Sequence, residues 1–585
     1  MFCEASRALL KGGGYLGLIV PSGIYTDKGA TDLRRLFLEK SRWEWLFGFE
    51  NREKLFDIDS RFKFNPIIVR KGGKTSAIRT AFMHRSVEDW QDAERHVLPY
   101  PRERVEQFSP RSSAILEIRS EQDLAVLEKM YASSVLLGDD GSDGWGIQYR
   151  QGDFNMTSDS RLFPPRPWWE ERGYKPNEYG LWIGPQGEVA LPLYEGRMIG
   201  QFDFSEKGWV SGKGRSAVWR PIPFEHKVLE PQFCMAISDY TSATDREGKP
   251  KPVRGVKLGF MDVSSATNER TMVAALVPDA PCGNKVPVLA TEARVWEAEL
   301  CAVLNSFAYD YQLRCRLGGL TLNYFIIEET ALPKQSLISE HLEHWLRFAS
   351  LRLCGIGGCF SIAWKALPVE ATRRRWRELW AVTALERLRL RCIADAVVAE
   401  LYGLDPKDLT WILRDCDHPT AAMRSDEFTR ALNPKGFWRI DKERDPELRH
   451  TVLTLVAFHE LKRLGLDAFL AQNDGEGWML PDTLRLADYG LGHDDRAKEP
   501  QPVASRLGPR FLPWQLEQGV EESWEECARH AERLAALLGR PLATGAGNAD
   551  AAPPPGASKP TDLFGQPLQT DLFGNVVEPQ ARRRR

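Results

Sequence analysis

The chain has 585 residues and a formal net charge of −3, with 43% hydrophobic and 27% charged side chains. That balance describes a soluble globular protein of about three domains and excludes a uniformly cationic one, so any contact with a polyanion must come from local basic patches. No run approaches about eighteen consecutive apolar residues, and no membrane span is expected. The ten cysteines include no C-x-x-C pair, and Cys354 and Cys359 are too loosely spaced to predict zinc; reduced thiols in a cytoplasm are expected.

The opening MFCEASRALLKGGG lacks a signal-peptide core, and a helical pattern is under way by Glu4, as if the chain began in the middle of a domain. Phe2–Lys11 reads as a helix stopped by Gly12-Gly13-Gly14. Tyr15–Val20 reads as a buried parallel strand, Thr31–Lys40 as a helix with Leu33, Leu36 and Phe37 on one face, and Trp43–Phe49 as a strand. Phe62–Val69 and a run near Ala77–Phe82 flank the turn Gly72-Gly73. This order is how an open α/β sheet ends. Gly12–Gly17 satisfies G-x-G-x-x-G, but its glycines follow a helix and precede a strand. The helix end aimed at them is the carbonyl end, which repels anions, so they are rejected as a cofactor loop.

Leu137–Gly146 is an acidic Gly/Ser boundary. From Leu181 to Pro333 short apolar runs alternate with Gly/Pro punctuation, which predicts strands and turns rather than helices. Arg197, Gln201, Asn268, Arg270, Arg314, Arg316 and Asn323 lie among Tyr194, Phe202, Tyr309, Tyr311 and Tyr324. Bidentate Arg fits guanine and bidentate Asn/Gln fits adenine, so this mixture suits nucleic-acid recognition; the other reading is an ordinary mixed domain with solvated Arg and core Tyr. Arg197, Gln201, Asn268 and Arg270 are the candidates for base edges. Arg314 and Arg316, beside Gly318-Gly319, are candidates for the phosphate backbone. Glu225-His226-Lys227 supplies half of a nuclease motif, but no Pro-Asp precedes it at a suitable distance.

From Glu370 the pattern turns helical. Arg373–Arg391 holds seven Arg against two Glu, a solvated face or one suited to a DNA backbone or an acidic partner. Two helices broken at Gly403 follow, the second starting at Asp405-Pro406, and then an amphipathic helix that carries His459. Pro541–Pro560 is an Ala/Gly/Pro linker expected to be disordered.

Two stretches carry a resemblance. ALLKGGGYLGLIVPSG through RFKFNPIIVRKGG resembles the last third of the catalytic domain of adenine-N6 DNA methyltransferases, above all the fused type IIG restriction-modification enzymes and similar phage-defence methylases. LPLYEGRMIGQFD, SSATNERT and LNSF…LNYF, in that order, resemble their target-recognition domain. The resemblance covers roughly residues 8–460. It implies a mixed α/β and α+β multidomain chain: 1–135 the C-terminal part of a Rossmann-like methyltransferase sheet, 136–335 a target-recognition domain, 336–540 a mainly helical domain, and 541–585 a disordered linker and tail. It implies S-adenosylmethionine as methyl donor and an aromatic that stacks on the flipped base, matched best by Phe56, with Phe62 and Phe64 behind it. The family's Asn/Asp-Pro-Pro-aromatic motif and glycine-rich donor loop are absent from this sequence. No catalytic residue is therefore expected here. The chain is expected to bind double-stranded DNA and not to methylate it alone, being either a fragment of a longer protein or the product of a split gene whose partner is a separate N-terminal methyltransferase half, with other defence subunits as alternative partners. Its alternatives are a non-enzymatic specificity subunit acting in trans and a structural scaffold of a defence complex. In the tail, Gln569-Thr570-Asp571-Leu572-Phe573 looks like the short peptide by which bacterial replication proteins dock on the sliding clamp, with Leu572 and Phe573 filling a pocket and Gln569 at its rim.

Overall fold

The computed structural model describes residues 2–60, 62–245, 247–291, 297–367, 373–540, 569–570 and 576–577. After α1 (Phe2–Leu9) come β1 (Tyr15–Pro21), α2 (Thr31–Lys40), β2 (Ser41–Glu50), β3 (Lys63–Lys71), β4 (Ala77–His84) and β5 (Leu98–Pro101). The five strands form one sheet in the order β1-β3-β2-β4-β5. Both β1 and β2 run antiparallel to β3, so they are parallel to each other with β3 inserted between them, and β2 pairs β4 in parallel. Phe37 of α2 packs edge-on against Trp43 of β2 at 5.5 Å, which fixes the helix on the sheet.

The expectation for Tyr15–Val20 needs correction. β1 is an edge strand of alternating burial, paired only with antiparallel β3 among the described residues. Tyr15 and Ile19 are 56% and 58% exposed, and α1 buries none of its residues. The apolar run that suggested a two-sided burial is covered on one face alone.

The chain continues through α3 (Glu121–Ala132), β6 (Ser134–Leu136), β7 (Ile147–Arg150), β8 (Lys175–Pro176), β9 (Trp182–Ile183), β10 (Val189–Pro192), β11 (Lys207–Ser211), β12 (Val218–Pro221), β13 (Cys234–Ala236), β14 (Lys257–Phe260), β15 (Ala274–Val277) and β16 (Val288–Thr291). These give two four-stranded sheets, β13-β10-β9-β8 and β15-β14-β16-β7, and a separate hairpin of β11 and β12. Lys257 of β14 is fully buried and paired to Asp153 at 2.5 Å.

Strands and turns do not account for all of 181–333. Residues 297–316 form α4 (Glu297–Leu304) and α5 (Phe307–Arg316), separated at Asn305-Ser306. Every residue of both helices is buried. A helix covered on all sides shows no polar stripe, so its period of 3.6 is invisible in the sequence. After β17 (Ala331–Pro333), which pairs β6, helices dominate: α6 (Glu340–Cys354), α7 (Ala384–Leu401), α8 (His450–Leu464) and α9 (Val520–Leu538). Among the described residues no helix is long and apolar enough to cross a membrane. None of the ten cysteines forms a disulfide.

The basic run Arg373–Arg391 is also corrected. Its helix starts only at Ala384, capped by the Thr383 hydroxyl accepting from the Glu386 amide. Arg389 is fully buried and bonds Glu386 at 2.6 Å; Arg352 reaches the same carboxylate at 2.7 Å and Arg510 at 2.8 Å. Glu476 takes a second set of contacts from Arg352, Arg374, Arg389 and Arg510. The surplus positive charge of this segment is thus partly neutralised inside the fold. In the tail, Gln569–Thr570 pairs antiparallel with Val576–Val577, while Leu572 and Phe573 lie outside the described residues.

Two predictions follow from buried charge. Glu386→Ala leaves several guanidiniums without their carboxylate and is expected to cost about 3–5 kcal/mol, read from urea unfolding. Glu117 accepts from Tyr25 at 2.8 Å, Lys63 at 2.7 Å and Lys435 at 2.5 Å. Burial raises its carboxyl, but the two ammonium groups outweigh that and hold it at about 2, below its ordinary 4.5. The depressed value contributes stability above about pH 4.5 that is lost as pH falls toward about 2. Glu117→Gln is expected to be less stable at neutral pH and to lose less stability across that acid window.

Candidate nucleic-acid interface

The seven mid-chain residues do not share a surface. Arg314 sits on the all-buried α5, and its donors are consumed by Asp310 at 3.0 Å and by the carbonyls of Lys435, Gly436, Asn268 and Glu269. Arg316 donates to Ser109 Oγ and Tyr131 Oη, each at 3.0 Å, and to the Glu329 carboxylate at 3.3 Å. Arg270 lies 3.7 Å over the Phe307 ring and bonds the Asn305 carbonyl. Gln201 is half-buried, with its amide nitrogen on the Asn305 carbonyl and its oxygen on Arg391. None of these four has a side chain free for DNA, which corrects the sequence-based expectation. Gly318 has its own packing role: a Cβ there would come within 2.7 Å of Thr26. Tyr194, Phe202, Tyr309 and Tyr311 are core aromatics. Arg197, Asn268 and Asn323 are exposed. Lys227 is buried on Asp203 at 2.6 Å and serves the fold.

Phe56 has a different setting. Asn51, fully buried at the end of β2, donates to the carbonyls of Phe56 (2.9 Å) and Ile58 (3.0 Å) and accepts from the Phe56 amide (3.0 Å). One side chain thus holds the loop after β2 in a fixed shape. Phe56 is 42% exposed and rests edge-on against Phe64 at 4.7 Å, which in turn stacks on Phe49 at 5.2 Å. Phe64 is buried, so it cannot serve in place of Phe56, whereas Phe62 is exposed on the same loop.

Guanidiniums crowd around this loop. Arg52 and Arg85 share the single carboxylate of Glu50, at 3.1 and 3.3 Å. Burial, together with the charges of Arg314, Arg52 and Arg85, pulls Arg439 down to about 10. The Arg119 guanidinium is lowered by burial and by Arg414 and Arg85, with Asp123 opposing. Cations held this close disfavour one another's charge, and an arriving anion relieves that cost. The arrangement suits a phosphate backbone passing an exposed aromatic ring.

A second element was not singled out from the sequence. The β11–β12 hairpin carries Lys207, Lys213, Arg215 and Arg220 and no acidic residue between Lys207 and Pro221. Trp209 faces Trp219 across it, and the Trp209 indole donates to the Gly212 carbonyl at 3.0 Å, closing the turn. Two β-prone runs around SGKGRS are a hairpin signal in their own right. Beneath the hairpin is a cleft of about 620 Å³, with Arg197, Lys213, Trp219 and Lys285 among its walls.

No protein-family model matches the chain, and no curated protein matches it. Similar solved structures include a restriction endonuclease and a restriction-modification enzyme. The type IIG restriction endonuclease BpuSI is 14% identical with a TM-score of 0.26, over 70% of this chain and 49% of its own. The type IIL restriction-modification enzyme MmeI, solved in complex with DNA, is 10% identical with a TM-score of 0.32, over 69% of this chain and 48% of its own. The chain therefore spans about half the length of these enzymes.

If phosphates run past the Phe56 loop, Arg52→Gln and Arg85→Gln each reduce the slope of log K against log salt by up to about 0.9. Fluorescence anisotropy of a labelled duplex across a salt series measures this. Arg270→Gln, buried elsewhere, is expected to leave the slope alone while lowering stability.

Proposed function

We propose that this chain is the DNA-recognition and C-terminal portion of a site-specific adenine-N6 DNA methyltransferase of a restriction-modification or phage-defence system. The observation that carries the reading is the rigidly held, exposed Phe56 beside Arg52 and Arg85, two guanidiniums that share the one carboxylate of Glu50. An aromatic in that setting can stack on a base taken out of the duplex while arginines hold the strand. The order of elements supports the same reading: a glycine-stopped helix, a strand ending in Pro21, the helix Thr31–Lys40 and then a pair of strands follow one another, the order on which the resemblance to methyltransferases rests.

The residues present do not fit the methyl donor. Gly13 adopts a positive φ in the turn between α1 and β1, after the carbonyl end of the helix rather than before an amide end. No Asn/Asp-Pro-Pro-aromatic occurs in the sequence. The chemistry is therefore assigned to a donor-binding half of the same fold. The edge of β1, unpaired among the described residues, with Tyr15 and Ile19 open beside it, is where that half would extend the sheet by adding a strand.

A second reading is favoured by the same missing motif: a specificity subunit that never touches the reacting base. A tritiated-methyl assay and a stacking assay separate the two. The 585-residue chain alone is expected to bind duplex DNA and incorporate no methyl group; clear incorporation overturns the assignment. Phe56→Ala is expected to lose about 1–3 kcal/mol of affinity for a duplex with one unpaired adenine, with little change on a fully paired duplex. Equal loss on both supports the specificity subunit.

A further inference from the structure

The cleft under the β11–β12 hairpin contains an electrostatic mismatch. Its rim is basic, yet two carboxylates line it with oxygens that have no hydrogen-bond partner. Asp262 is 2% exposed; its Oδ2 takes the Lys285 ammonium at 2.9 Å, while Oδ1 receives nothing. Glu195 Oε2 is likewise buried without a donor, and burial lifts the Glu195 carboxyl to about 7 although Arg197 opposes it. A buried acceptor left empty is costly. Two of them on one cleft mark a place where N–H donors arrive with a ligand.

That ligand must also tolerate Arg197, Lys213 and Lys285, so it presents amino groups near negative charge. Nucleobases beside their phosphates have this chemistry. In the major groove the amino donors are cytosine N4 and adenine N6, and carboxylates are the usual acceptors for cytosine N4. A two-stranded ribbon is one of the two elements that the major groove admits, and the hairpin above the cleft is such a ribbon, with four basic side chains and no acid.

We propose that the β11–β12 hairpin lies in the DNA major groove and that Asp262 and Glu195 in the cleft beneath it select a base pair by accepting from a cytosine amino group. This rests on the DNA-binding reading above and adds which base edge is read and by which residues. Arg197, foreseen as a base reader, then works beside two acceptors that neither charge nor motif revealed.

The test is selection of bound duplexes from a randomised pool, for the wild type, Glu195→Gln and Asp262→Asn, each checked for folding by circular dichroism. The wild type is expected to fix at least one cytosine. Glu195→Gln, which keeps the size of the side chain and is expected to fold, should relax that position by roughly ten- to a hundredfold, with the salt slope retained because phosphate contacts set it. Lys213→Gln should instead weaken all sequences alike. Unchanged cytosine selection in Glu195→Gln and in folded Asp262→Asn overturns the proposal and leaves DNA binding standing. Binding with no sequence preference in the wild type also overturns it. Absence of any DNA binding overturns the reading on which it rests.

Discussion

Helix α5 is the constraint on which the rest of the structure depends. Six of its ten side chains are polar, yet all are buried, and its charged ones must find partners because an unpaired buried charge costs several kcal/mol. Arg316 satisfies that demand in the segment before α3 and at Glu329, and Tyr311 reaches Asp123 of α3 at 2.9 Å. Arg314 reaches the loops at 268–269 and 435–436, and Asp310 receives the Thr271 amide. The N-terminal sheet, the middle sheets and the helical region are therefore tied to one helix. Apolar packing continues across the same boundaries, since a single core cluster runs from Leu16 to Cys527. Moving one region relative to another would break hydrogen bonds as well as packing.

This explains how a chain of net charge −3 can offer cationic surface. Many arginines are internal and matched, as around Glu386, Glu476 and Asp310. Near Glu50 two guanidiniums share one carboxylate, and the hairpin carries Lys207, Lys213 and Arg215 besides Arg220, which pairs with Glu230. Overall charge says little about such a protein, because the field at a surface depends on which cations the interior has already neutralised.

The N-terminal sheet was legible in the sequence because its strands alternate with helices and end at glycines and prolines; Thr31–Lys40 is helical over the span read from its pattern. The pairing of Tyr15–Val20 was not legible, since a run of apolar residues does not say which side will be covered. Residues 297–316 failed for the opposite reason: burial on every side removed the period. The spacing Asp310/Arg314, one helical turn apart and bonded at 3.0 Å, was the available sign that this arginine had an internal partner. Residue type alone could not separate Arg197 from Arg314, because base readers and buried tethers use the same guanidinium. Phe56 was singled out through its resemblance to a family position, while Asn51, which holds its loop, became visible only in three dimensions.

The open margin of β1 has a practical consequence. An edge strand with no second neighbour among the described residues, flanked by exposed Tyr15 and Ile19, is a template for a second copy of itself. Purified at high concentration, the chain would tend to associate margin to margin, and this self-association would compete with any neighbour meant to sit there. That tendency traces to the seven residues of one edge strand.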